Sequence, residues 1–289
     1  MKLELASSVG LGGINGSDDV KLIRALLNVW KRSGGKEPLP IVPSPDRDLN
    51  EAIGAFQTEQ GTDSKSGLVR KHSKTWEKLL KVLADSRTRV PITPPSQGSL
   101  TWAAEGQEGG RYHSRILHVP TASSGLTLGR GFDLRERKRT TTEQQLTQAG
   151  ISPGYARKVA AGVRLRGSDA ETFIIASDLL DFEISAAIQL RLFEVVYAEM
   201  EADVIRICSK SDVLEVYGRT DWEVLDSRIR ELLVDLRYRG DYTGRTRRHL
   251  QPAVVANDLP LIRQIMTNSS LWDGVPQDRF QRRLSFLAS

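Results

Sequence analysis

Residues 124–133 read Ser124-Gly125-Leu126-Thr127-Leu128-Gly129-Arg130-Gly131-Phe132-Asp133. Their alternation is that of a strand with two unlike faces. Taken as one extended run, Leu126, Leu128, Arg130 and Phe132 share one face. Thr127, Gly129, Gly131 and Asp133 share the other. That second face is small and polar, so it leaves room for a ligand and sets a hydroxyl and a carboxylate beside the space. Glycine within a strand often marks close approach by a ligand or another backbone. Just upstream, Ile116-Leu117-His118-Val119-Pro120 is a second β-like run, and Thr121 to Gly125 supply a turn between the two. The pattern predicts a hairpin from about 116 to 133.

Outward from this hairpin the chain reads as helical. Before it, Leu100 to Glu105 form a short apolar helix that Ser99 can cap and that Gly106, Gly109 and Gly110 stop. After it, helices are expected from Thr140 or Thr141 to Ala149, Pro153 to about Val163, Ser168 to about Ala176, and Ser185 to about Cys208. Four more are expected at Asp226–Leu236, Leu250–Asn257, Pro260 to about Asn268, and Pro276–Leu287. Before residue 100, the stretch SRTRVPITPPSQGS at 86–99 is too rich in proline for a regular element and reads as an extended linker. Residues 1–85 carry three helical signals, at 17–32, 48–60 and 73–84. The expected fold class is therefore mostly α (α+β). Residues 1–85 form a small three-helix domain, 86–99 a Pro-rich linker, and 100–289 a helical domain with a small β-hairpin lobe.

Composition narrows the function classes. The 289 residues include one cysteine, Cys208, and four scattered histidines, so an internal disulfide and a Cys-rich metal site are excluded and no metal or cofactor is expected. No apolar run is long enough to span a membrane. Lys and Arg number 41 against 36 Asp and Glu, a net of +5, which suits an anionic partner. The densest basic stretch, Arg237 to His249, is preceded by Asp235, interrupted by Asp241 and sits in no nucleic-acid-binding signature, so nucleic acid is not an expected partner. The first residues, Met1-Lys2-Leu3-Glu4-Leu5, lack the apolar run of a secretory signal, and synthesis in the cytoplasm is expected.

The chain carries two family resemblances. In residues 1–85, Asp19-Val20, Leu26-Leu27-Asn28, Ala52-Ile53 with Phe56-Gln57 and Gly61, Ser66-Gly67-Leu68-Val69, and Thr75-Trp76 resemble a peptidoglycan-binding-domain repeat. Ser66 stands where that family has Asp, and Arg70-Lys71-His72 replaces its Gly-Pro. In residues 100–289, Glu105-Gly106 followed by Thr127-Leu128-Gly129-Arg130-Gly131 resembles phage-type lysozymes. The ten residues 124–133 are most similar to the pesticin-like branch, with its Ser-Gly-Val-Thr-Ile-Gly-x-Gly-Tyr-Asp pattern. The closing run Asp278 to Leu284 is similar to the Arg-rich last helix of phage-type lysozymes.

The resemblance implies an inverting muramidase, cleaving the β-1,4 bond between N-acetylmuramic acid and N-acetylglucosamine. Such hydrolysis uses one carboxylic acid to protonate the leaving oxygen and one carboxylate to activate water. Glu105 is the implied acid, with Glu108 as the alternative. Classical phage lysozymes place the second carboxylate at the position of Thr121. The pesticin-like pattern places it six residues after the Thr, at Asp133, with Thr127 assisting. Tyr112 and His118 are expected to line the cleft, with His113 nearby. Arg239 and Tyr242, in a cluster with Arg237 and Tyr238, are expected either to bind substrate or to form a salt-bridge network. The implied partners are peptidoglycan, a periplasmic immunity protein and a secretion-apparatus component, with no membrane insertion, and a monomer is expected. The resemblance also implies an antibacterial effector delivered by type VI secretion to the periplasm of a target cell. A phage endolysin, a bacteriocin or a non-catalytic wall-binding protein are the alternatives.

Overall fold

The computed structural model describes residues 3–62, 66–87, 90–109 and 113–289. The fold is mostly helical, as the pattern predicts, with two small antiparallel ladders. In chain order the elements are β1 (Val9–Gly10), α1 (Ser17–Ser33), α2 (Arg47–Glu59), β2 (Leu68–Val69), α3 (Lys74–Asp85), α4 (Ser99–Ala104), β3 (Thr127–Leu128) and β4 (Phe132–Asp133). Then come α5 (Arg139–Gln148), α6 (Pro153–Ala160), α7 (Gly167–Ala176), α8 (Ala186–Cys208), α9 (Ser211–Tyr217), α10 (Ser227–Arg239), α11 (Gly244–Val255), α12 (Leu259–Thr267) and α13 (Gln277–Ala288).

These elements group in space into two units. One joins Met1–Pro91 to Gln107–Gln189, and the other joins Ile92–Gly106 to Leu190–Ser289. The grouping therefore differs from the sequential division at 85 and 100, because residues 107–189 share a unit with the three-helix segment.

Helix α1 explains why. Every residue from Leu22 to Trp30 is buried. A surface helix hides one stripe, whereas this one is enclosed on all sides. It packs on α2, α3 and β1, and also on α7. Two of its buried polar residues, Arg24 and Asn28, tie down the Pro-rich loop that comes after it. Arg24 donates to the Ser44 carbonyl at 3.0 Å and pairs with Asp46 at 2.7 Å. Asn28 donates to the Leu39 carbonyl and accepts from its N–H. At the helix end, Arg32 spends its guanidinium on two carboxylates from beyond α7. Nε and Nη2 each donate to Asp181 at 2.6 Å, and Nη1 donates to Asp178 at 2.7 Å. Asp178 holds a left-handed backbone (φ 51°), which a non-glycine residue adopts only when its surroundings fix it.

The second unit has two adjoining apolar clusters. The larger takes Val204, Leu232, Leu233, Leu250, Ile262 and Met266 from α8, α10, α11 and α12. The smaller stacks Trp102, Phe193 and Tyr197, with Trp102 edge-on to Phe193 at 5.1 Å. The Pro-rich stretch has no regular secondary structure where it is described, yet its second half is held. Ile92 packs on the smaller cluster, and Gln97 donates to Glu201 at 3.3 Å. Gly98 caps α4 with a left-handed backbone (φ 82°), and a Cβ there would lie 2.5 Å from the Tyr197 ring.

Three local expectations are corrected. The 124–133 run is not one strand, because it folds back through Gly129, Arg130 and Gly131, pairing Leu128 with Phe132 and Thr127 with Asp133. Both glycines have positive φ (62° and 87°), which a three-residue hairpin loop needs. The 116–120 run joins this hairpin through a single bridge, His118 to Thr127. The helix expected from Leu250 begins at Gly244, capped by Thr243 in a reciprocal box with Thr246. Pro252, which suits a first turn, lies inside it. Finally, α9 and the β1–β2 ladder go beyond the expected elements, since seven residues and two residues per strand are too short for periodicity to register.

Candidate functional site

The hairpin brings three of the expected site residues together. In antiparallel pairing, directly opposed residues point to the same face. Thr127 opposes Asp133, and His118 opposes Thr127, exchanging two backbone hydrogen bonds at 3.0 and 2.8 Å. His118, Thr127 and Asp133 therefore form a row across three chain segments. Alternation along one strand also puts Thr127 and Asp133 on a common face. The fold reaches that result by cross-strand pairing instead.

Each member of the row has a defined state. The Thr127 hydroxyl donates to the Gly125 carbonyl at 3.3 Å, which leaves its lone pairs free to accept. Asp133 Oδ1 accepts the Arg135 N–H at 2.7 Å, while Oδ2 has no hydrogen-bond partner among the described residues. Asp133 is thus both a turn-former and a carboxylate with one uncommitted oxygen. His118 Nδ1 lies 3.0 Å from the Ile116 carbonyl, which can only accept, so Nδ1 carries the proton and Nε2 is the acceptor of the neutral ring. Burial pushes the His118 pKa below its ordinary 6.5, and nearby Asp133 offsets this only in part. The unfolded chain therefore binds this proton more readily than the folded one. Stability from this group is complete above pH 6.5 and is lost as pH falls through the lower folded pKa. Between pH 7 and 5, His118→Gln is expected to flatten the acid loss of stability, by at most ~1.4 kcal/mol per pH unit. Denaturation midpoints measured across that range check this. An unchanged acid slope in the variant would refute it.

Gly125 lies against this row. A Cβ there would meet Asp133 Oδ1 at 2.4 Å, Arg135 Cβ at 2.7 Å and Arg135 N at 2.8 Å. Sequence reasoning passes over Gly125 as an ordinary turn residue.

Glu108, the alternative acid, is held in an ion-pair network. Its carboxylate accepts from Arg115 Nε at 2.9 Å and Gln189 Nε2 at 2.8 Å, and Arg130 Nη2 lies 3.6 Å away. Glu183 completes the network through Arg115 Nη2 at 2.7 Å and His113 Nε2 at 2.9 Å. His113 Nδ1 accepts the Gly109 N–H, so its Nε2 carries the proton toward Glu183. Glu108 and His113 thus brace the segment leading to the hairpin. Tyr112 lies outside the described residues.

The remaining site candidates are in the second unit. Glu105 is the C-terminal cap of α4, with its N–H on the Thr101 carbonyl. Its Oε1 accepts from Arg279 Nη1 of α13 at 2.5 Å. Arg279 also donates through Nη2 to Asp235 Oδ1 at 2.7 Å, and Arg283 Nε donates to Asp235 Oδ2 at 2.7 Å. Arg283 Nη2 forms an ion pair with Asp241 at 2.8 Å, and Asp241 accepts a hydrogen bond from Arg239. Glu105, Arg279, Asp235, Arg283, Asp241 and Arg239 form one chain of alternating charge. Burial opposes the Arg279 cation, but Asp235 and Glu105 outweigh it and raise its pKa.

Arg239 and Tyr242 take the structural option left open by their sequence. Arg239 is bound to Asp241 and the Gly274 carbonyl. Tyr242 is buried, donates to Gln251 at 2.6 Å and meets Cys208 Sγ at 3.4 Å, and burial raises its phenol pKa above the usual range. Both side chains thus have framework partners in this structure. Among the described residues no group of His, Cys, Asp and Glu is placed to hold a metal ion, and no helix is long and apolar enough to cross a membrane.

A family model described as "Domain of unknown function (DUF8812)" matches residues 98–284. No curated protein matches the chain.

Proposed function

The chain belongs to the DUF8812 family, whose model covers well over half of it, and we propose that it is a muramidase acting on bacterial peptidoglycan. The observation that carries this reading is the Thr127–Asp133 cross-strand pair on the Gly129-Arg130-Gly131 hairpin, with an uncommitted Asp133 oxygen. Asp133 takes a proton from water while the water oxygen bonds to the anomeric carbon. Thr127, its hydroxyl hydrogen already spent on Gly125, accepts a hydrogen bond from the same water. The likeness to phage-type lysozymes assigns to Glu105 the proton that the glycosidic oxygen takes up as the C1–O bond breaks. The reading also draws on the likeness of residues 124–133 to pesticin-like enzymes and of residues 19–79 to peptidoglycan-binding repeats. By the same likeness, the activity serves as an antibacterial effector delivered by type VI secretion, with peptidoglycan as target and an immunity protein as antagonist.

Purified protein is expected to clear isolated sacculi and release reducing-end muropeptides. Glu105→Gln and Asp133→Asn are each expected to lower the rate by at least ~10²-fold with the fold retained. Mass spectrometry of the products identifies the bond cut, and full clearing by both variants overturns the assignment. Expression directed to the periplasm should lyse cells, whereas the same chain kept in the cytoplasm should not.

One observation favours a second reading. Arg279 occupies the Glu105 carboxylate, so Glu105 already has a framework partner. A non-catalytic wall-binding protein would pull down with sacculi and yield no reducing ends.

A further inference from the structure

Helix α5 has a composition that its packing does not explain. It buries only Thr142 and Leu146, and after Arg139 the rest of the helix is Thr, Glu and Gln. Threonine is a weak helix former, and Thr140 and Thr141 are exposed. Beside this helix lies a cavity of about 500 Å³, lined by Thr140, Glu143, Gln144, Thr147, Gln148 and Pro153, the last from the start of α6. That is within the ~300–1,000 Å³ of ordinary ligand sites.

The lining is uncharged in effect. Its one ionisable group, Glu143, is held by Arg157 Nε at 3.3 Å, which balances its charge. Thr147 donates its hydroxyl hydrogen to the Glu143 carbonyl at 2.8 Å and so faces the groove as an acceptor. Gln144 and Gln148 lie one helical turn apart on one face. Each carries a carbonyl oxygen and two N–H donors. Sugar hydroxyls and acetamido groups are donors and acceptors at once, without net charge. A phosphate or carboxylate would find no unspent cation among these residues, and an apolar ligand would strand their amides.

We infer that the α5–α6 groove is a second, non-catalytic binding site for an uncharged glycan chain. It lies apart from the His118–Thr127–Asp133 row in sequence, and it holds the polymer by hydrogen bonds with Gln144, Gln148 and Thr140 and by the Thr147 hydroxyl as an acceptor. Naming that glycan as the peptidoglycan backbone rests on the muramidase reading.

The test is direct binding by the full chain carrying Asp133→Asn, with a soluble β-1,4-linked N-acetylglucosamine oligomer, which carries no charge, as the probe. Adding Gln144→Ala and Gln148→Ala is expected to weaken the dissociation constant at least tenfold, and so is the size-conserving pair Gln144→Glu and Gln148→Glu. Raising salt from 0.1 to 0.5 M should leave the affinity within twofold, as for a site without ion pairs. Unchanged affinity in the groove variants, no binding by the parent, or a steep salt dependence overturns the inference. Hydrolysis is measured separately on the otherwise wild-type chain. Groove-dependent binding without any hydrolysis removes the muramidase reading and keeps the groove. Hydrolysis with groove-independent binding does the reverse.

Discussion

Asp235→Ala is expected to lower the stability of the Leu190–Ser289 unit by about 3–5 kcal/mol. Asp235 has no exposed surface and accepts from both Arg279 and Arg283. Arg283 is equally enclosed. Removing the carboxylate leaves one guanidinium fully buried with Asp241 as its remaining carboxylate partner. It leaves the other with Glu105 alone. An ion pair taken whole from a core and replaced by apolar residues is often neutral, but one partner left behind is costly, because its charge stays desolvated. A shift in the chemical-denaturation midpoint measures the loss. A change below ~1 kcal/mol would mean that water reaches these arginines, against their observed burial. Asp235→Asn should recover part of the loss, since the amide oxygen can still accept from one arginine.

Gly125→Ala is expected to lower the rate of sacculus clearing by about 10²-fold at a temperature where the chain remains folded. The added methyl has to displace Asp133 Oδ1 and the Arg135 backbone N–H, the two ends of the bond that orients the carboxylate. A side-chain tip swings aside cheaply, but a backbone nitrogen does not, so strand β4 moves with it. Overpacking of this kind also costs about 1–3 kcal/mol. Circular dichroism and a melting curve separate the two effects. Undiminished clearing by a folded variant would mean that Asp133 is not placed for the chemistry.

The helices are legible because each has a periodic apolar face and a stop signal, as α1 has Val20, Ile23, Leu26, Leu27 and Trp30 before Gly34. The Thr127–Asp133 pair is legible in outcome, since alternation and hairpin pairing both return them to one face. The turn itself escapes the pattern because Gly129 and Gly131 read as strand glycines, while their positive φ bends the chain back. Asp235 has a signal of its own. It is a lone acid in the apolar run Leu232-Leu233-Val234-Asp235-Leu236, where only a buried cation makes sense of it. Arg32 carries no such signal. Its partners Asp178 and Asp181 lie nearly 150 positions away, and nothing local marks an arginine at a helix end as bound rather than solvated.

Arg32 and the sealed flanks of α1 also bear on how this chain can be recombined. A wall-anchoring repeat on a free tether is a cassette, which can be exchanged between genes and leave either neighbour intact. Here the first helix is an internal wall shared with α7, and Arg32 is riveted to a turn encoded much later. Cutting after residue 85 would strip a face from both pieces, baring the far side of α1 on one and Asp178 and Asp181 on the other. Cutting after residue 189 is no cleaner, because Ile92–Gly106 belongs with Leu190–Ser289. By these contacts the chain does not divide cleanly at residue 85 or at residue 189. Fusions that carry it whole should stay soluble where cassette swaps aggregate.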